Sequence, residues 1–214
     1  MQRTRRTPLS EPDPSHQVGD AAEPTPEPAD DESAGSPSSP EPEPADIGPK
    51  KPSWKLMALF GAVGLLVLFL DQLTKALALA HLTPGEPVDV IGSFLKFNLI
   101  RNSGAAFSLG AGYTPYISAI QIIVALSVVY LSRRLGSVGW AVAFGFLFGG
   151  ALGNIIDRIF REPSPFHGHV IDFLQTPHWA IFNVADMAVT SAAALLVIQT
   201  LRGIRLDGTK ELKK

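Results

Sequence analysis

The stretch "WKLMALFGAVGLLVLFLDQLTKALALA", residues 54–80, decides the fold because it is long and apolar enough to cross a membrane. A transmembrane helix needs roughly 20 consecutive, predominantly apolar residues, so we predict a first span over 55–79. Three more stretches of this kind predict spans over 116–131, 138–156 and 182–201. The sequence therefore predicts an all-α membrane protein, built as a four-transmembrane-helix bundle.

The two ends of the chain differ from this core in composition. Residues 1–49 contain 11 of the 18 prolines and 11 of the 20 acidic residues. A segment of this kind cannot bury enough apolar surface to offset the entropy lost on ordering. We predict a disordered, proline-rich and acidic tail over 1–50, a four-helix membrane domain over 51–203, and a basic tail over 204–214.

The composition also excludes several functions. The chain has no cysteine, which excludes disulfides, thiolate metal sites and a cysteine nucleophile. It has no extended basic face on a soluble domain, so nucleic-acid binding has no support. The net charge of −2 averages the acidic tail with a basic remainder and therefore indicates nothing about partners.

Lysine and arginine residues near the ends of the spans predict the orientation in the membrane. With four spans they all fall on one side, which is then the cytoplasmic side. We therefore place both termini in the cytoplasm and the long connections, 80–115 and 157–181, outside. The basic residues are Lys50, Lys51, Lys55, Arg133, Arg134, Arg202, Arg205, Lys210, Lys213 and Lys214.

The two outer connections carry strand signals. In "VDVIGSFLKFNLIRN", residues 88–102, β-branched and aromatic residues recur in near-extended alternation. Strict alternation would place Asn98 and Asn102 on one face. "GHVIDFL", residues 168–174, is a second candidate strand. We predict a small β-sheet at the extracytoplasmic surface.

Polar side chains gather at the predicted outer ends of the spans. Ionisable groups within a membrane are costly and are candidates for function. Asp71 and Lys75 stand at i and i+4, where they can meet on one helix face. The spacing N-x-x-D occurs twice, and it places an amide and a carboxylate on neighbouring positions of a helix face. The two pairs are Asn154 with Asp157 and Asn183 with Asp186.

Two of the four outer aspartates have cations nearby in sequence. Asp71 has Lys75 one helical turn away, which predicts an ion pair with a structural role. Asp157 is followed by Arg158 and, at i+4, by Arg161, and it is predicted to orient both.

Asp172 and Asp186 have apolar neighbours and no cation nearby in sequence. Two carboxyl groups that share a desolvated site cannot both ionise cheaply, so they hold one proton between them. One can then activate water as a base while the other donates a proton as an acid, as in aspartic proteases. The alternative is that these aspartates cap helices or pair within the bundle.

At these residues the chain resembles the lipoprotein signal peptidase family, the type II signal peptidases of bacteria. Five motifs match in the family's order and span 54–201, nearly all of the membrane portion. They are "DQLTKALA" (71–78), "RNSGAAFSL" (101–109), "GGALGNIIDR" (149–158), "HVIDF" (169–173) and "FNVAD" (182–186).

The resemblance implies a multi-pass aspartyl endopeptidase of the bacterial cytoplasmic membrane. It would remove signal peptides from diacylglyceryl-modified prolipoproteins by cutting on the N-terminal side of the lipidated cysteine. Asp172 and Asp186 match the catalytic pair. Four polar residues match positions expected to hold the substrate backbone or to position the catalytic pair: Asn102, Asn154, Arg158 and Asn183. Asp71 and Lys75 match two residues that are expected to shape the site. We expect a monomer whose partners are the prolipoprotein and membrane lipid, with no metal or cofactor.

Three other functions are compatible with parts of the sequence. A metallopeptidase could use His167, His169, Asp172 and His178 as ligands. A Ser–Lys peptidase could pair Lys75 with Ser103 or Thr74. A proton-conducting transporter would use the membrane carboxylates as a relay, but the cytoplasmic halves of spans 2, 3 and 4 carry no ionisable side chain.

Overall fold

The computed structural model describes residues 53–104, 113–163 and 165–210, and the predicted acidic tail over 1–50 lies outside them. Four helices in the described part are long and apolar enough to cross a membrane, by length and composition. The predicted bundle with a small sheet is thereby confirmed. The elements in chain order are α1 (Trp54–His81), β1 (Val88–Ile91), β2 (Leu95–Asn102), α2 (Thr114–Ser132), α3 (Val138–Phe160), β3 (Val170–Gln175) and α4 (Val184–Leu201).

Helix α3 is the central helix of the bundle. In its most apolar window 56% of the residues are buried, against 22% in each of the other three helices. Its glycines allow this packing, since small residues let helix backbones approach closely in membranes. A Cβ atom at Gly149 would lie 2.5 Å from the carbonyl oxygen of Gly64 in α1, and one at Gly150 would lie 2.6 Å from that of Ala185 in α4. A side chain at either position would push α3 away from a neighbour.

The three strands form one antiparallel sheet in the order β1-β2-β3. Residues 88–102, which the alternation treats as one run, form a hairpin instead, because the chain turns at Gly92 with a φ of 49°. Strict alternation also fails within β2, where the register against β3 shifts between Phe97 and Ile100. Asn98 donates to the side chain of Gln175, whereas Asn102 donates to Asp172.

The described part of the predicted basic tail is folded. After α4 the chain turns back at Gly203, which has a φ of 65°, and packs against the α2–α3 connection. The Gly136 amide donates to the Leu206 carbonyl at 2.9 Å, and the Trp140 indole donates to the Ile204 carbonyl at 2.8 Å. Residues 211–214 lie outside the described part.

Candidate active site

The predicted site residues meet at one end of the bundle, where β3 passes the first turn of α4. Asn183 is the N-cap of α4. Its side-chain Oδ1 accepts from the backbone N–H of Asp186 at 3.0 Å, and its backbone N–H donates to Asp186 Oδ2 at 3.2 Å. This reciprocal capping box satisfies amide groups that the helix leaves unpaired. Asp186 therefore has the helix-capping role that the alternative interpretation of the sequence predicts. Its other carboxylate oxygen, Oδ1, takes no part in the cap.

Asp172 and Asp186 are brought to one cavity of about 300 Å³. Asp172 lies in β3 and is 1% exposed. Asn183 Nδ2 donates to its Oδ1 at 2.6 Å, and Asn102 Nδ2 donates to its Oδ2 at 2.8 Å. Asn154 Nδ2 donates to Asp186 Oδ1 at 2.9 Å. Neutral amides thus hold both carboxyl groups.

The environment of Asp172 favours its protonated form. Burial, and next the negative charge of Asp186, raise the pKa of Asp172 from 3.8 to about 7, while the hydrogen bonds from Asn102 and Asn183 oppose the rise. Asn183 donates to both carboxyl groups, from its side chain to Asp172 and from its backbone to Asp186, so the two groups lie close together. This arrangement can supply a proton donor and a proton acceptor at neutral pH.

Asp71 and Asp157 lie next to this pair in a different environment, the Lys75 cluster. This cluster consists of Lys75, Asp71 and Asp157, all fully buried. Lys75 Nζ lies 2.8 Å from Asp71 Oδ2 and 2.8 Å from Asp157 Oδ2, and it donates to Asn154 Oδ1 at 3.0 Å. The predicted ion pair between Asp71 and Lys75 is confirmed.

Asp157 orients Arg161 but not Arg158, so the sequence prediction is half wrong. Asp157 Oδ1 lies 2.6 Å from Arg161 Nε. Arg158 points to the cavity instead and donates to the carbonyl of Gly104 and the side chain of Gln121, each at 3.0 Å. The adjacent position on the helix turns Arg158 about 100° away from Asp157, because one turn holds 3.6 residues.

Gln121 in α2 also lines the cavity, although it was not predicted from the sequence as a site residue. The available signal was an amide side chain in the middle of an otherwise apolar span. Gln72, next to Asp71, was missed as well. It donates to Asp71 Oδ2 and to the Gly153 carbonyl, each at 3.1 Å, and so joins α1 to α3.

Comparison with known proteins assigns this site to a family. The sequence model of the family described as "Signal peptidase (SPase) II" matches residues 63–202, which include every predicted site residue. The chain belongs to the signal peptidase II family. Among curated relatives of the same family, the lipoprotein signal peptidase of Mycolicibacterium smegmatis is 45% identical over 159 residues, covering 74% of this chain and 67% of that protein. The lipoprotein signal peptidase of Mycobacterium avium is 44% identical over 164 residues, covering 77% and 90%.

Solved structures agree with this signal peptidase II assignment. A bacterial membrane enzyme determined by the in meso method at 2.3 Å resolution superposes with a TM-score of 0.63 at 31% identity, covering 73% of this chain and 96% of that one. A second such structure, at 1.9 Å resolution, gives a TM-score of 0.60 at 31% identity, covering 72% and 97%. Membership makes the chain a multi-pass membrane protease.

Other chemistries find less support in this signal peptidase II fold. Lys75 Nζ contacts three oxygen acceptors, which use all three donors of its ammonium group, and Thr74 Oγ1 donates to the Leu70 carbonyl. These contacts do not favour Lys75 as the base of a Ser–Lys peptidase. No group of three or more His, Cys, Asp or Glu residues arranged for a metal occurs in 53–104, 113–163 or 165–210. Helix α2 contains no acidic or basic side chain that would continue a proton path.

Proposed function

We propose that the chain is an intramembrane aspartyl endopeptidase that removes signal peptides from diacylglyceryl-modified prolipoproteins, cutting on the N-terminal side of the lipidated cysteine. One observation carries the catalytic assignment: Asp172 and Asp186 line the same cavity, and amides rather than cations hold both. The substrate class rests on the family and on the curated relatives, which are lipoprotein signal peptidases.

In this mechanism the two carboxyl groups share the proton transfers. Asp172, with a pKa of about 7, carries the proton, and the Asp186 carboxylate takes a proton from a water molecule held between them. The water oxygen attacks the scissile carbonyl carbon while Asp172 donates to the carbonyl oxygen. The tetrahedral gem-diol intermediate then collapses: the C–N bond breaks, Asp186 gives the proton that it took from water to the leaving amine of the lipidated cysteine, and the Asp172 carboxylate takes back a proton from a hydroxyl group of the intermediate.

The supporting residues divide into two groups. Asn102, Asn154 and Asn183 fix the orientation of the two carboxyl groups, and the Lys75 cluster fixes the backbone that carries them. Arg158 also lines the cavity, where it holds the substrate backbone.

The excess of basic residues predicts that the opposite end of the bundle faces the cytoplasm, together with both termini. The active site then lies near the extracytoplasmic face. The acyl chains of the substrate stay in the bilayer, so a monomeric enzyme meets its substrate in two dimensions and in a fixed orientation. Such pre-orientation can lower the barrier by several kcal/mol, on the order of 7–11 in favourable cases.

The decisive experiment is in vitro processing of a diacylglyceryl-modified precursor by the purified protein, with the unmodified precursor as a parallel substrate. We expect cleavage before the modified cysteine and little cleavage of the unmodified form. Equal cleavage of both would refute the proposed substrate class. Inhibition by a metal chelator would refute the aspartyl mechanism.

A further inference from the structure

Gln121 is a polar residue whose position needs an explanation. It lies within α2, between Ile120 and Ile122, in a helix that is otherwise apolar at this level. A primary amide in an apolar environment is costly unless it is hydrogen-bonded. Its Oε1 accepts from Arg158 Nη1 at 3.0 Å, across the boundary between α2 and α3, and its side chain lines the cavity shared by Asp172 and Asp186.

This hydrogen bond completes a two-sided clamp on Arg158. The second terminal nitrogen, Nη2, donates to the Gly104 carbonyl at 3.0 Å. The Gly104 amide in turn donates to Asn102 Oδ1 at 2.9 Å, and Asn102 donates to Asp172. Nη1 also donates to the Asn154 carbonyl at 3.4 Å. These anchors on a planar guanidinium fix both its position and the direction of its remaining N–H groups.

One of these remaining groups is the Nε–H of Arg158. It is buried and has no hydrogen-bond partner among the residues that the structure describes. A buried N–H without an acceptor is costly, so such groups in native proteins call for a specific reason. A peptide carbonyl of a bound substrate would satisfy it.

The clamp also opposes a competing position of the guanidinium. Arg158 lines the same cavity as Asp172 and Asp186, so its positive charge lies near both carboxyl groups. Within the described residues no ion pair within 4.0 Å joins Arg158 to either aspartate. A guanidinium released from its anchors would be drawn towards these carboxylates, where it would neutralise the base.

We infer that Gln121 is a positioning residue for the proposed peptidase reaction: it holds Arg158 away from Asp172 and Asp186 and aims the Arg158 Nε–H at a substrate carbonyl. This inference rests on the proposed function. Gln121 acts through Arg158 and does not itself touch the reacting atoms.

The test measures cleavage kinetics of the lipid-modified precursor for Gln121→Leu, which removes the acceptor at similar volume. We expect kcat/KM to fall about tenfold, the size of a lost hydrogen bond to a charged group. The alkaline limb of the pH profile should also move to lower pH, because a cation nearer Asp172 stabilises its ionised form. Gln121→Glu keeps an acceptor oxygen and should stay within about threefold of the wild type in kcat/KM at the optimum pH.

A double variant separates positioning from a general packing effect. Lysine lacks the planar guanidinium that Gln121 holds. In an Arg158→Lys background, adding Gln121→Leu should therefore lower kcat/KM by less than a further factor of about two. Gln199→Leu is the matched control: this buried glutamine in α4 bonds Ser137 at the other end of the bundle, and its loss should leave the kinetics unchanged.

Wild-type kinetics for Gln121→Leu, or a further tenfold loss in the Arg158→Lys background, would overturn the inference. Gln121→Met removes the same acceptor and replaces Gln121→Leu if that variant is not recovered folded. Failure of the wild type itself to cleave the precursor would refute the proposed function instead, so the two failures can be told apart.

Discussion

Two pairs of aspartates lie side by side at one end of the bundle, and their partners differ in kind. Asp71 and Asp157 both contact the ammonium of Lys75 at 2.8 Å. Asp172 and Asp186 are held by asparagine amides. A cation within contact distance favours the charged form of a carboxyl group, whereas a carboxyl group held by neutral donors in a buried site can more readily gain or lose a proton. The pair without the cation is therefore the one suited to acid–base chemistry.

The comparison also shows how the Lys75 cluster serves its neighbours. Asp71 Oδ1 accepts from the Ala185 amide at 2.9 Å, one residue before Asp186. Asp157 Oδ2 accepts from the Ile171 amide at 3.2 Å, one residue before Asp172. Each ion-paired aspartate thus fixes the backbone beside one aspartate of the proposed catalytic pair. Asn154 joins both sets, because it accepts from Lys75 and donates to Asp186.

The largest expected effect is on turnover. Asp172→Asn and Asp186→Asn should each lower kcat by at least about a thousandfold, since each removes a group that transfers a proton. The measurement is single-turnover cleavage of the lipid-modified precursor by protein that is still inserted and monodisperse. Asp71→Asn is the comparison variant and should retain measurable turnover. Equal loss in all three variants would remove the functional distinction between the two pairs.

The second effect is on stability. Lys75→Met removes the cation that Asp71 and Asp157 share and leaves Asp157 with Arg161 alone. Breaking a buried ion pair by removing one partner costs roughly 3–5 kcal/mol. Thermal unfolding in detergent should therefore begin at a clearly lower temperature than in the wild type. Asp172→Asn should not show this loss, because Asp172 has no ion pair in the described structure. Unchanged unfolding of Lys75→Met would contradict a structural role for the cluster.

A third prediction concerns the pH dependence of the amide-held pair. Asp172 has a pKa of about 7, so activity that needs its proton should fall as the pH rises through this value. The Asn102 hydrogen bond favours the ionised form and lowers the pKa. In Asn102→Ala the pKa of Asp172 should rise further, and the alkaline limb of kcat/KM should move to higher pH. A limb that moves to lower pH would exclude Asp172 as the group responsible.

The smallest expected effect serves as a surface control. Asp89 and Lys96 form an ion pair at 2.9 Å on the sheet, with 62% and 35% of their side chains exposed. Exposed pairs of this kind contribute about 0–1 kcal/mol. Asp89→Asn should leave both cleavage kinetics and the unfolding temperature close to those of the wild type. A large loss of activity would mean that β1 takes part in substrate binding.

Several features could be predicted from sequence because they depend on local properties of the chain. The span positions follow from continuous runs of apolar residues, and the Asp71–Lys75 pair follows from helix periodicity. Helix α4 begins at Val184, two residues after the start of the predicted span at 182. This start agrees with the preference of asparagine for the N-cap position, which Asn183 occupies. The turn at Gly92 was harder to predict, because the alternating pattern of β-branched and aromatic residues continues on both sides of this glycine.

The sequence by itself determined a four-span membrane protein with its polar residues at one end, because hydropathy and helical spacing are properties of neighbouring residues. Only the tertiary structure decided which acid met which partner: Asp157 from α3 met Lys75 from α1, and Arg158 turned to Gln121 in α2. The hydrogen bond from Asn102 to Asp172 joins residues 70 positions apart and depends on a register shift within β2. Such pairings arise from packing between distant segments, and they set the local electrostatic field that separates a structural carboxylate from one able to exchange a proton.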